Sequence, residues 1–343
     1  MPTLNDVARH AGVTAATVSN VIRGRGAVSP KTAERVRAVI ADLGYRPNLT
    51  ARALAEGRAP ALALLVPSIA NPFYTEFARA AERRARAEGK FLVVCHSDSD
   101  PDIGRAYLER VTSGISEGVL AMAGDIRLHD LIEVAARGVP VVLVMWEESD
   151  ETIPLPAVTL NFTMAGHIVA EHLLELGHRK VGLVTAKPHD GIEPHTKRVA
   201  GFEQTMAMAG VYIPALQRSL GSDTIAGGFT ATTELLGKAP DITAIFASND
   251  LIGIGAMQAA AALGLRVPED LSIISVTDIQ LASQMRPALT TVSLHSTETA
   301  ELAVTFLLEL VETPTREPVQ REGPKPVLQR RGTTAPPGTF RRE

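Results

Sequence analysis

The chain has 343 residues, 45% of them hydrophobic, and a formal net charge of −4, so its length allows about two domains with sizeable cores. Its single cysteine, Cys95, excludes an internal disulfide and any multi-cysteine metal site, and its apolar neighbours Phe91 to Val94 mark it as a buried strand thiol. The N-terminus has no basic region followed by an apolar core and cleavage site, and no uncharged apolar run approaches ~18 residues. A soluble cytoplasmic protein without membrane contact is expected.

The first predicted helix opens at Thr3, which caps it while Asp6 answers three residues later, and it stops at Gly12. Leu4, Val7, Ala8 and Ala11 share one face. Thr14 caps a second helix whose Val18, Val21 and Ile22 meet the same small core, leaving Ala15, Ala16, Ser19 and Asn20 outward. That is the helix-turn-helix pattern, in which the second helix offers its N-terminal residues to a DNA major groove. A third helix starts at Ser29-Pro30 and ends at Gly44, its Val36, Val39, Ile40 and Leu43 closing the core.

Charge agrees with DNA docking. Residues 1–60 hold nine Lys and Arg against four Asp and Glu, whereas the remainder is acidic. A basic head on an acidic body is the footprint of phosphate contact. Residues 48–56 then carry good helix formers between Asn48 as a cap and Gly57 as a stop. A helix shorter than ~12 residues is marginal in water, so this segment should order only when something packs on it.

From residue 61 onward, apolar runs alternate with helical segments. The runs are 61–66, 91–95, 118–122, 140–146, 180–185, 243–247 and 271–276. The helical segments include 72–88, 102–114, 163–176, 197–209 and 251–263, several closed by a glycine. Continuous apolar strands separated by helices indicate parallel sheets covered on both faces, and their number exceeds one comfortable core. Ligands bind beyond the carboxyl ends of such strands, which nominates Ser68 to Phe73, Ser97, Asp98, Asp125, Trp146 with Glu147, Asn161 to Thr163, Ser248 to Asp250, Thr277 and Asp278.

The stretch Thr3 to Ile22, with Val28-Ser29-Pro30-Lys31-Thr32, Leu43-Gly44-Tyr45-Arg46-Pro47-Asn48 and Ala51-Arg52-Ala53-Leu54, resembles the lactose-repressor family of bacterial transcription regulators. The similarity runs on to Arg331-Gly332-Thr333-Thr334. It implies an α/β chain with an all-α helix-turn-helix head (1–46), a hinge helix and linker (47–60) and a two-lobed periplasmic-binding-protein-like domain of doubly wound parallel sheets (61–333), its lobes joined by three crossings. We assign 61–158 and 290–320 to lobe 1, 159–289 and 321–333 to lobe 2, and 334–343 to a flexible tail.

The resemblance implies double-stranded operator DNA, a sugar-like effector and a second copy of the chain as partners. The expected DNA-contacting residues are Thr3, Thr14, Ala15, Ala16, Thr17, Ser19, Asn20, Arg23 and Ser29, with Asn48, Ala51, Arg52 and Leu54 from the hinge, where a Leu at the place of Leu54 is wedged into the minor groove. The expected effector-binding residues are Asn71, Phe73, Ser97, Asp98, Asp125, Trp146, Asn161, Phe162, Arg198, Asn249, Thr277 and Asp278. Arg198 precedes Val199-Ala200-Gly201-Phe202, where the family often clamps an effector. Arg, Asn and Asp offer forked donors and acceptors to adjacent hydroxyls. Trp146 is either a stacking surface or a core residue, and Asp250 either a ligand contact or a helix cap. No cofactor or metal is implied.

Three departures from the family pattern bear on specificity. Thr277 stands where a carboxylate is common, and Asn161-Phe162 stands where Asp-Asn is frequent, so two negative charges leave the expected cleft and a modified or acidic sugar enters consideration. Asn20 stands where an Arg is common, which points to adenine rather than guanine at the facing base. A dimer is expected through helices 72–88 and 251–263, where Ala-rich faces permit close approach, and the proline-rich tail argues against a terminal coiled coil.

Two rival classes fit less well. A free solute-binding protein would carry a signal peptide and lack residues 1–57. An enzyme would need chemistry that His178, His189 and His195 do not assemble, since no Ser-His-Asp order, metal spacing or phosphate-cradling glycine motif accompanies them, and Asp98, Asp100 and Asp102 lack an EF-hand's Gly and closing Glu. The chain is read as a non-enzymatic transcriptional regulator, most naturally a repressor.

Overall fold

In the computed structural model, residues 2–24, 26, 28–46, 61–122, 127–147, 154–187, 194–315 and 317–338 are described. The expected hinge residues Asn48, Ala51, Arg52 and Leu54, together with Asp125 and His189, lie outside them. The chain divides into two units, Met1–Ala59 and Pro60–Glu343.

The first unit holds α1 (Leu4–Ala11), α2 (Ala15–Arg23) and α3 (Pro30–Asp42). Thr3 closes a capping box: its amide donates to Asp6 Oδ2 at 2.9 Å, and its hydroxyl accepts from the Asp6 amide at 3.2 Å. The Thr3 hydroxyl also donates to Asp6 Oδ2, at 2.7 Å, and with the amide bond it holds the half-exposed Asp6 carboxyl below its ordinary range. Thr14 and Ser29 cap α2 and α3 through the amides of Thr17 and Thr32, with Pro30 in the first turn of α3. Val7, Ala8, Ala11, Val18, Val21 and Val36 form the buried core, and Leu4, Ile22, Val39, Ile40 and Leu43 pack around it.

The second unit contains two six-stranded sheets. Lobe 1 orders its strands β11-β5-β4-β3-β1-β2, from β1 (Ala61–Val66), β2 (Phe91–His96), β3 (Val119–Met122), β4 (Val141–Trp146), β5 (Ala157–Thr159) and β11 (Gln320–Glu322). Lobe 2 orders its strands β12-β10-β9-β8-β6-β7, from β6 (Val181–Ala186), β7 (Arg218–Gly221), β8 (Ala244–Ala247), β9 (Ser272–Thr277), β10 (Thr290–Ser293) and β12 (Val327–Gln329). Every pairing is parallel except β10 with β12. Strands β1, β3, β4, β8 and β9 are buried along their whole length, as parallel strands covered on both faces must be.

Helices α4 (Pro72–Ala87), α5 (Pro101–Thr112), α6 (Leu128–Ala136) and α12 (Ser296–Glu312) cover lobe 1. Lobe 2 carries α7 (Phe162–Glu175), α8 (Pro194–Met208), α9 (Ile225–Lys238), α10 (Asp250–Ala262) and the short α11 (Gln280–Gln284). The chain passes between lobes after β5, after β10 and between β11 and β12.

Three expectations are corrected here. Residues 290–293 belong to lobe 2, because Thr290 to Ser293 pair in parallel with Ile274 to Thr277; the crossing falls after β10, and α12 packs on α4 in lobe 1. Conversely, Arg321 and Glu322 stay in lobe 1, paired with Val158 and Thr159. The start of the supposed tail is anchored: the Ala335 amide donates to Ser272 Oγ at 3.0 Å, and the Ala335 carbonyl accepts from that hydroxyl and from His178 Nε2 at 2.9 Å. His178 is 1% exposed, so its role is packing, as its position ahead of a strand implies.

The glycines of α10 serve close packing within the chain. A Cβ on Gly255 would lie 2.2 Å from the Ile225 carbonyl, and one on Gly228 would lie 2.5 Å from that of Ile252, so α9 and α10 touch backbone to backbone. Residues Asp250 to Met257 are all buried within the chain.

Candidate functional site

On the head, Ala16 and Asn20 are exposed and Ser19 half-exposed along α2. Ala15 is turned partly into the core, so it contributes less outward surface than its spacing implies. The Thr17 hydroxyl lies 2.9 Å from that of Thr14, which ties both to the cap at the start of α2. A Cβ on Gly26 would come within 3.1 Å of Asn20 Nδ2, so Gly26 leaves room for that amide. The result is a short helix with a small, polar exposed face carried on a basic head.

Between the lobes, the C-terminal ends of β1 and β8 each meet an asparagine that caps the next helix. Asn71 Oδ1 accepts from the Phe73 amide at 3.1 Å and Asn249 Oδ1 from the Ile252 amide at 3.0 Å. The caps fix both amide flips, leaving each NH₂ to donate elsewhere. Both donate to one carboxylate, Asp223: Asn71 Nδ2 reaches Asp223 Oδ2 at 3.2 Å from lobe 1, and Asn249 Nδ2 reaches Asp223 Oδ1 within lobe 2.

Arg198 lies close by, 3% exposed. Its guanidinium carbon sits 5.2 Å from the centre of the Phe162 ring, and Nη1 donates to the Ser248 carbonyl at 2.8 Å. Burial pulls its pKa down to about 10, opposed by the nearby Tyr74, Asp223, Asp250 and Glu147. Arg198 Nε has no hydrogen-bond partner among the described residues, and neither has Oε2 of the buried Glu147, whose Oε1 accepts from the Thr163 amide at 3.0 Å. A buried donor and a buried acceptor thus flank Phe162 and Thr163, and an unpaired buried polar group costs ~1–3 kcal/mol.

Asp250 resolves toward structure. Its carboxylate accepts from the hydroxyls of Ser275 and Thr291 at 2.6 Å and from the Ile279 amide at 2.7 Å, joining β9, β10 and α11, while Asn249 does the capping. Burial raises its pKa, against those hydrogen bonds. Thr277 also bonds to it, at a φ of 129°, and Asp278 follows at 60°. Asp278 pairs with Arg331 at 2.5 Å, so its carboxylate is engaged within lobe 2.

The remaining expected contacts divide. Phe73 is 4% exposed and belongs to the core of lobe 1; its neighbour Tyr74, 5.5 Å away ring to ring, lies near enough to Arg198 to raise that residue's pKa. Trp146 is packed in the core beside the bulge that ends β4. Ser97 is buried, its hydroxyl donating to the Val66 carbonyl at 3.4 Å, and Asp98 is exposed beside His96. Exposed Asn161 caps α7 through the Met164 amide. Asp223 was missed because β7, Arg-Ser-Leu-Gly, is not an apolar run; the turn Gly-Ser-Asp-Thr ahead of a helix was its available signal.

Among the described residues no helix is long and apolar enough to cross a membrane, and no cluster of three His, Cys, Asp or Glu could hold a metal. Residues 3–48 match the family model for bacterial regulatory proteins of the lacI family, and residues 170–334 match that of the periplasmic binding protein-like domain. The chain is 32% identical over 335 residues to the ribose operon repressor of Escherichia coli (strain K12), covering 97% of this chain and all of that protein. Its fold superposes on the lac repressor dimer bound to operator and the anti-inducer ONPF with a TM-score of 0.84 at 27% identity, covering 97% and 99% of the two chains. It is also similar, at 26% identity and a TM-score of 0.71, to a LacI family regulator from Enterococcus faecium with bound ribose, over 80% of this chain and 99% of that one. With its helix-turn-helix head and two-lobed effector-binding fold, this chain belongs to the lacI family of bacterial regulatory proteins, which bind DNA and are not enzymes.

Proposed function

We propose that the protein is a transcriptional repressor that binds a pseudo-palindromic operator as a homodimer and is controlled by a neutral polyol, a sugar or sugar derivative, held between its lobes. The observation that carries the ligand class is the pair of buried, unpaired groups beside Phe162: Arg198 Nε calls for an acceptor and Glu147 Oε2 for a donor. A hydroxyl is both. The carboxylates absent at Asn161 and Thr277 have counterparts in Glu147 and Asp223, reached from other elements, which favours a neutral ligand over a sugar acid. The ribose operon repressor and the ribose-bound relative make ribose the first compound to try.

A change in lobe angle would reach DNA through residues 47–60, the proposed hinge, with Leu54 as its minor-groove wedge. A coupling of ~1 to 3 kcal/mol changes operator affinity ~5- to 150-fold. The test is a thermal-shift screen of sugars, sugar acids and nucleobases, followed by operator binding with and without each hit. A neutral sugar should raise the melting temperature and alter operator affinity. A hit confined to sugar acids or nucleobases would replace the ligand class, and DNA binding indifferent to every hit would remove the switch.

A further inference from the structure

Besides the bond from the Thr163 amide of lobe 2 to Glu147 of lobe 1, two hydrogen bonds join the lobes reciprocally, each from a donor in one lobe to a carboxylate of the other. Asp223 of lobe 2 accepts from Asn71 of lobe 1, and Glu76 Oε1 of lobe 1 accepts from the Gln280 amide of lobe 2 at 2.9 Å. Both grip the N-terminal part of α4, Asn71 at its cap and Glu76 one turn on. Asp223 is also the shared acceptor for the capping asparagines of both lobes, so it engages the two amides that face the cleft from opposite sides.

We propose that Asp223 is the residue through which the cleft senses its ligand, acting as a built-in surrogate that latches the lobes before a ligand arrives. A ligand with two adjacent hydroxyls competes with it: one hydroxyl donates to the Asp223 carboxylate while a neighbouring oxygen takes the Asn71 amide. This rests on the polyol reading of the cleft and adds the ligand feature recognised, a vicinal diol, and the bond exchanged. A ligand lacking one of the paired hydroxyls leaves an amide or a carboxylate oxygen unmatched, and such unmatched groups are the strongest source of discrimination.

The latch is tested without any ligand. The Gln280 amide reports lobe contact through a bond that Asp223 does not make, so hydrogen exchange is measured on the full chain as wild type, Asp223→Ala and Glu76→Ala. Gln280 should exchange about 10- to 100-fold faster in both variants, the factor carried by one hydrogen bond to a charged group. Unchanged exchange at Gln280 in Asp223→Ala, or acceleration confined to residues flanking position 223, overturns the latch.

The sensing role is read by calorimetry with ribose and 2-deoxyribose. Wild type should prefer ribose, Glu76→Ala should bind ribose more tightly than wild type because one bond holding the lobes together is gone, and Asp223→Ala should lose the preference. A preference intact in Asp223→Ala overturns the sensing role. Failure of wild type to bind either sugar counts against the ribose-like reading of the cleft, and the Gln280 measurement still decides the latch.

Discussion

A methyl group on Gly166 would lie 1.9 Å from the carbonyl oxygen of Arg198, and one on Gly201 would lie 2.0 Å from that of Thr163. Helices α7 and α8 therefore touch backbone to backbone, and this contact sets Arg198 above Phe162. Gly166→Ala is expected to force the helices apart, destabilising the protein by ~1–3 kcal/mol or more, the range for overpacking a tight core. Gly201→Ala should do the same, and the double variant should cost less than the sum because both crowd the same helix contact, which the first methyl already forces apart. Denaturant midpoints check this; additive effects would mean the two glycines act separately.

Arg198 separates binding from stability. Its charge is buried, and its Nε is unpaired among the described residues, so replacing it with an apolar side chain of similar length removes a desolvation cost. Arg198→Met should keep or raise the melting temperature while abolishing the shift caused by a cleft ligand. A lower melting temperature with the ligand shift intact would assign Arg198 to the scaffold.

The anchored end of the chain should respond to acid. Burial lowers the pKa of both His172 and His178 from 6.5, and their rings hold Thr334 and Ala335. The native state favours the neutral imidazoles, so below 6.5 the unfolded chain binds more protons. Their stabilisation is complete above that value and is lost as pH falls through the lowered native values. Glu76 and Asp250, raised by burial, contribute in the opposite sense, so the histidine part is isolated by comparison. The fall in melting temperature from about pH 7.5 to about pH 5 should be shallower in His178→Gln than in wild type. Parallel curves would show that His178 does not titrate in this window.

On the head, exposed Asn20 can pair two hydrogen bonds with adenine, whereas Ala16 offers only a methyl contact. A binding series over all four bases at the facing position should favour adenine by ~1–3 kcal/mol, and Asn20→Ala should erase that preference. A clear preference for guanine would show that Asn20 does not read that base.

The parts legible in sequence are those governed by local rules. Thr3, Thr14 and Ser29 cap as their spacing demands, and fully buried strands such as Ala61–Val66 announce themselves as apolar runs. What escaped depends on partners far along the chain. Thr290 to Ser293 could pair in either lobe until β9 claimed them. Phe73 and Tyr74 are adjacent, and only packing decides which ring enters the core. Asp223 sits after a short strand without an apolar run, and its importance comes from Asn71, 152 residues away. Asp278 matched a family position, yet Arg331 takes its carboxylate.

The central claim is that a ligand between the lobes controls DNA binding. Its most direct test is the dissociation constant for a pseudo-palindromic operator duplex, measured for wild type and Arg198→Met with and without a saturating cleft ligand from the sugar screen. The ligand should change the wild-type constant ~5- to 150-fold and leave that of Arg198→Met unmoved. Equal wild-type constants with and without bound ligand would contradict it.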